Sequence, residues 1–142
     1  MKNENNIKYV SGVFLTLLSI IIFISMLSFF FSWSSDQSEI KTIFDSSSEI
    51  KNIGKKFGLL ISYYMIYKGF GLGAILIPSL VFLIGISLTF NSGLDKILNR
   101  SIFLLLCMVW ISLFSSYIFS NNIYGGSFGY EMKSIIIEFL GD

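Results

Sequence analysis

A chain of 142 residues that is 54% hydrophobic, 17% aromatic and only 13% charged carries more apolar side chains than a water-soluble core of that size can bury. Ten Lys and Arg against nine Asp and Glu leave a formal net charge of +1, which excludes a strong electrostatic footprint for nucleic acid or acidic substrates. Histidine is absent and Cys107 stands alone, so an intramolecular disulfide and a transition-metal site built on imidazole or paired thiolates are excluded too.

Residues 1–9 form a polar tail with Lys2, Glu4 and Lys8, and Val10–Trp33 follows as 24 residues without a charge. About 20 helical residues cross a hydrocarbon core of about 30 Å, so this run predicts a first transmembrane helix over 10–33. It is longer than the apolar region of a signal peptide and lacks a small-residue cleavage site, which makes it a retained span. Ser25, Ser28 and Ser32 recur at spacings of three and four. They either open one face to a neighbouring helix or bond back to carbonyls of their own helix.

The chain then turns polar from Ser34 to Asn52, with Asp36, Glu39, Asp45 and Glu49 interleaved with Lys41 and Lys51. Ser46-Ser47-Ser48-Glu49 fits a capping box. Ile50, Ile53, Phe57, Leu60, Ile61 and Tyr64 recur after it at helical spacing, with Lys51, Lys55 and Lys56 off most of that stripe. Residues 34–69 are therefore a loop with an amphipathic helix, which rests in the headgroup region or packs on its own protein.

Phe57–Phe90 is 34 residues broken by one charge, Lys68, and is too long for one span. The break belongs at Tyr67–Gly73, where the charge meets three glycines, leaving a second transmembrane helix over 70–90 that Pro78 is expected to kink. Gly69 and Gly73 form a small-xxx-small pair, a contact signal or simply a bend at the helix start. A polar connection over 91–100 holds Asp95, Lys96 and Arg100, and the 19 uncharged residues Ser101–Phe119 make a third span antiparallel to the second. Residues 120–142 combine a Gly-rich segment with a short amphipathic helix over Tyr130–Leu140, suited to the interface. The predicted fold is all-α, an integral membrane domain of three transmembrane helices and two short interfacial amphipathic helices.

Orientation stays open, because a bare positive-inside count favours an external amino terminus while charge density per residue favours the reverse. No nucleotide-binding phosphate loop is present; Gly54-Lys55-Lys56 lacks the upstream glycine and the following hydroxyl. The three spans hold no ionisable residue of the kind a proton or ion carrier needs. Lys68 sits at a helix end, from which lysine snorkels to the interface, and Glu131 with Lys133 marks a solvated face. No catalytic, cofactor-binding or metal-binding residue is assigned.

Three ordered stretches resemble the amino-terminal four-span membrane domain of the FtsK/SpoIIIE family of DNA translocases. Phe29-Phe30-Phe31-Ser32-Trp33, followed by Asp36-Gln37-Ser38, is similar to the family's aromatic exit into an Asp-Gln-Ser turn. Ile66 through Ala74, then Ile77-Pro78 and Phe82-Leu83-Ile84-Gly85, resembles its glycine entry, proline and later glycine, and Gly125-Gly126-Ser127-Phe128-Gly129-Tyr130 resembles its double-glycine segment. The resemblance implies a cytoplasmic tail over 1–9, a cytoplasmic loop over 91–100, outward segments over 34–69 and 120–142, and a chain that stops before a fourth span. It further implies an anchor at the division septum of the bacterial inner membrane. That anchor would hold a hexameric ATP-driven DNA pump and contact other division proteins, acting in cell division and chromosome partition. ATP, Mg and DNA would engage only a downstream motor domain; the residues here would contact the lipid bilayer and one another as a homo-oligomer. The alternative class is a small helical subunit of a transporter or secretion complex.

Overall fold

The computed structural model describes residues 2–41, 43, 49–92 and 95–141, and among them the only regular elements are helices. Helix α1 (Lys2–Asp36) takes in the first apolar run with about two turns of polar sequence before it and about one after it. After a short 3-10 turn at Ser38–Ile40, α2 (Lys55–Ser62) leads into a π-helical segment (Tyr63–Phe70) and a 3-10 turn (Gly71–Ile75) before α3 (Leu76–Thr89). Helix α4 (Asp95–Ile118) and α5 (Asn122–Leu140) complete the bundle. Among the described residues three helical stretches are long and apolar enough to cross a membrane: 5–36, 55–89 and 97–118. The chain is thus an all-α membrane domain.

The elements depart from their expected bounds for local physical reasons. The capping residues Ser46–Ser48 lie outside the described residues, and Glu49 through Gly54 are not helical. Helix α2 begins only at Lys55, after Asn52 has turned the chain: the Lys55 amide donates to the Asn52 carbonyl at 2.8 Å. Asp95–Arg100, expected as loop, form the first turns of α4. Residues of the Gly-rich segment are helical from Asn122, because the Asn121 side chain accepts from the Ile123 amide at 3.2 Å and caps that end. Pro78 is fully buried as the third residue of α3. A first-turn position removes no intrahelical bond, so the expected kink is displaced to the glycines before it.

Helix α3 packs chiefly on α1, and makes far less contact with α4 than a simple hairpin would. The α1 contact is a paired small-residue seam. A β-carbon on Gly12 would collide with the Thr89 amide and the Gly85 carbonyl, and one on Gly85 with the Thr16 amide. Thr16 and Thr89 turn their hydroxyls back onto Gly12 and Gly85, at 2.8 and 2.9 Å, so both helices present a smooth face. Lipid tails are as apolar as leucine, so close van der Waals approach of this kind is what holds membrane helices together. Gly69 and Gly73 serve differently: Gly73 packs on the Met108 carbonyl of α4, while a β-carbon on Gly69 would meet the Tyr64 carbonyl of its own helix.

The buried core lies at one end of α1, where Met26, Phe29 and Trp33 meet Leu59, Ile66 and Ala74. Trp33 stacks on Tyr67 with ring centroids 4.7 Å apart, and Tyr67 on Tyr63 at 5.4 Å. The outer faces stay apolar: Phe103, Leu106, Trp110 and Phe114 on α4, and Val10, Phe14, Leu17 and Ile21 on α1, are exposed. In a bilayer these side chains meet acyl chains in place of water.

Candidate functional site: the crossing of two broken helices

Two helical breaks meet at this end of the bundle. Gly69 has φ −101° and ψ −120°, and Gly71 follows at φ 56° and ψ −130°. Gly126, inside α5, has φ 66° and ψ 172°. The last two conformations are essentially restricted to glycine. A β-carbon on Gly71 would collide with the Tyr124 carbonyl, and one on Gly126 with the Gly69 carbonyl and the Gly71 amide nitrogen. The two breaks therefore interlock backbone against backbone.

Within a bilayer a broken helix must satisfy the polar groups it frees. Gly71 donates its amide to the Ile66 carbonyl. The Ser127 hydroxyl donates to the Tyr67 carbonyl at 3.2 Å, and the Ser112 hydroxyl to the Gly125 carbonyl at 2.6 Å. Phe70 against Phe128 (4.7 Å) and Phe30 stacked on Tyr124 (6.3 Å) close the sides. Helix α4 supplies the floor through Met108, Ser112 and Ser116, four residues apart, against Gly73, Gly129 and Gly125.

A second polar cluster joins α1 to the chain entering α2. Asp36 is fully buried and accepts the Lys51 and Asn52 amides, each at 2.9 Å, one on each carboxylate oxygen. Asn52, also fully buried, donates through Nδ2 to the Ser25 carbonyl and accepts from the Gly54 amide, both at 2.9 Å. Gly54 and Gly58 lie so close to Ser25 that neither has room for a β-carbon. The serine stripe serves both roles open to it: Ser25 bonds back to the Ile21 carbonyl at 2.8 Å, while Ser28 accepts the Ile53 amide at 3.0 Å.

Lys68 is exposed at its helix end. Lys133 is a correction to the solvated face expected for it. The ammonium donates to the Ser116 carbonyl at 3.1 Å and lies 5.1 Å from the centre of the Tyr117 ring, tying α5 to the end of α4. Glu131 stays exposed. The Tyr130 hydroxyl donates to the carbonyls of Phe119 and Asn121, and burial raises its pKa above the ordinary phenol value. Asp36 and Asn52 were missed as a pair in the sequence, where both sit in an ordinary polar loop. Their polar groups, and those of Ser112 and Ser127, are engaged with backbone, which makes the two clusters devices for fixing helices.

The order of these features, an aromatic helix exit, a glycine break before the proline and a double glycine locked onto that break, runs along nearly the whole chain. Residues 4–142 match the family described as the 4TM region of DNA translocase FtsK/SpoIIIE. The chain belongs to that family. No curated protein and no solved structure matches it. Within this FtsK/SpoIIIE membrane domain the resembling motifs acquire distinct physical tasks. The glycine entry and the double glycine are the two halves of one crossing, the Asp36 turn is the acceptor that fixes the following loop, and Gly85 is half of the seam with α1.

Proposed function

We propose that this domain is the membrane anchor of a DNA translocase acting in cell division and chromosome segregation, with the ATP-driven motor carried outside these residues. The observation that supports this reading is the family match over residues 4–142. The anchor lies in the bacterial inner membrane at the septum, assembles with copies of itself, and turns the 34–69 and 120–142 segments outward to other division proteins. The interlocked crossing suits that task, since an anchor under load from a moving DNA strand needs elements that do not slide past one another.

The test is the distribution of the fluorescently tagged protein in dividing cells, combined with cross-linking of its partners. Concentration at the septum and recovery of division proteins are expected. Uniform membrane distribution with recovery of a channel or secretion complex would overturn the anchor and favour a small transporter subunit.

A further inference from the structure

Helix α3 packs chiefly on α1 and α4 chiefly on α5, so the two pairs diverge from one another. A cavity of about 480 Å³ opens in the wedge between them, walled by Ile20 and Phe23 of α1, Leu76, Phe82 and Leu83 of α3, and Leu104 of α4. None of the described residues that line it is charged. Its two hydroxyls are engaged with their own helices: Ser19 donates to the Thr16 carbonyl at 2.7 Å and Ser79 to the Ile75 carbonyl at 3.4 Å. A buried water needs several polar partners, and this wall is apolar, so water does not fill the space.

The depth and size of the cavity select its occupant. Ser19, Ile20 and Phe23 lie near the middle of the uncharged run Val10–Trp33, which places the cavity at mid-depth in the hydrocarbon. Ile20 and Phe23 are 42% and 37% exposed, so the wall opens sideways onto the surrounding acyl chains. Left empty, the space would forfeit the dispersion contacts of its lining. A helix is about 10 Å across and climbs about 5.4 Å per turn, so one turn alone takes up about 400 Å³. A span of several turns from a second copy is too bulky to seat there. An unbranched hydrocarbon chain is narrow enough.

We propose that this wedge is a binding site for one acyl chain of a membrane phospholipid, which fills the space that α3 and α4 leave between them. The acyl chain is held against three helices, whereas lipid on the outer face of α4 meets one. Recognition runs through the hydrocarbon and is indifferent to the headgroup, because the lining carries no charge. This assignment depends on the protein's residence in a membrane and not on its attachment to a motor.

The test uses the full chain, purified in detergent and then given phosphatidylcholine or phosphatidylglycerol, with retained lipid read by native mass spectrometry. Both lipids should be retained alike. Ser79→Phe, which drives a ring into the cavity, should lower retention by about tenfold or more, as overpacking a filled site does. Leu106→Phe, on the exposed face of α4, should not alter it. Unchanged retention in Ser79→Phe would overturn the proposal, as would an equal loss in Leu106→Phe or a marked headgroup preference. A dimer that Ser79→Phe dissociates would also overturn it and give the cavity to a second copy. Should Ser79→Phe fail to fold, the unaltered protein decides. Phosphatidylcholine with a photoreactive group in mid-chain must then attach chiefly at Ile20, Phe23, Leu83 and Leu104, and attachment spread evenly over Phe14, Phe103 and Trp110 overturns the proposal.

Discussion

Gly126 rests directly on the backbone nitrogen of Gly71, with no room for a β-carbon between them, and both glycines take positive φ. Gly126→Ala should therefore cost about 1–3 kcal/mol in backbone strain and about 1–3 kcal/mol more in overpacking. Gly141 shares the positive φ (80°) but has nothing within 4 Å. Gly141→Ala should cost less, the backbone strain of about 1–3 kcal/mol alone, since its β-carbon meets nothing. Thermal unfolding of the two variants in one detergent separates crossing from strain; equal shifts would refute the interlock.

Removing the Asp36 carboxylate orphans two backbone amides, one of them on the fully buried Asn52. Asp36→Ala should lower stability by about 2–6 kcal/mol, at about 1–3 kcal/mol for each unsatisfied donor. Asp36→Asn keeps one acceptor and should fall between. A melting temperature for the alanine variant within a degree or so of the unaltered chain would mean that water replaces the carboxylate at little cost.

The seam between α1 and α3 gives a geometric test. In a Cys107→Ser background, Gly12→Cys with Thr89→Cys should cross-link under mild oxidation, since a β-carbon at Gly12 falls against Thr89. Gly12→Cys paired with Phe14→Cys or Phe103→Cys should not, because those phenylalanines are exposed on outer faces. Equal yields from all three pairs would indicate collision between loose helices.

Tyr130 supplies a pH dependence. Its folded-state pKa is raised by burial, so the protonated phenol is favoured in the folded chain. That contribution is fully present below the unfolded value of about 10 and is lost as pH rises through the higher folded value. Stability should fall across that alkaline window. Tyr130→Phe should flatten this part of the profile and cost about 1 kcal/mol at neutral pH for the lost hydroxyl bonds. Denaturant midpoints at several pH values measure both effects.

Topology is open to direct measurement. Reporter insertions at Ser47 and Asp95 should label opposite sides of the membrane, with Ser47 outward. The same signal from both sites would contradict the three-span arrangement.

Much of the helical plan was legible in the sequence because uncharged runs are a strong, contiguous signal: Val10–Trp33 falls inside α1, and Ser101–Phe119 falls inside α4 up to Ile118. The break near Gly69–Gly71 was legible for the same reason, since a lysine among glycines interrupts that signal. Gly126 was visible as part of a double glycine, yet nothing local says that it locks onto Gly71, because helix pairing is fixed by shape across many intervening residues. The seam was missed although its pattern was present: Gly12 and Thr16, like Gly85 and Thr89, are small residues four apart. The Asp36–Asn52 link was beyond reach, since a buried polar pair joining a helix end to a loop has no periodicity to betray it. Lys133 was misjudged because spacing alone cannot tell a solvated lysine from one reaching back to a carbonyl.

The two tryptophans end up in opposite surroundings, Trp33 sealed at 7% exposure within its tyrosine stack and Trp110 on the outer face of α4 at 72%. The domain thus carries two built-in optical reporters with separate fields of view. Brominated acyl chains should extinguish the emission of Trp110 while sparing Trp33, so interior rearrangement and changes in the surrounding lipid can be followed in one unlabelled sample.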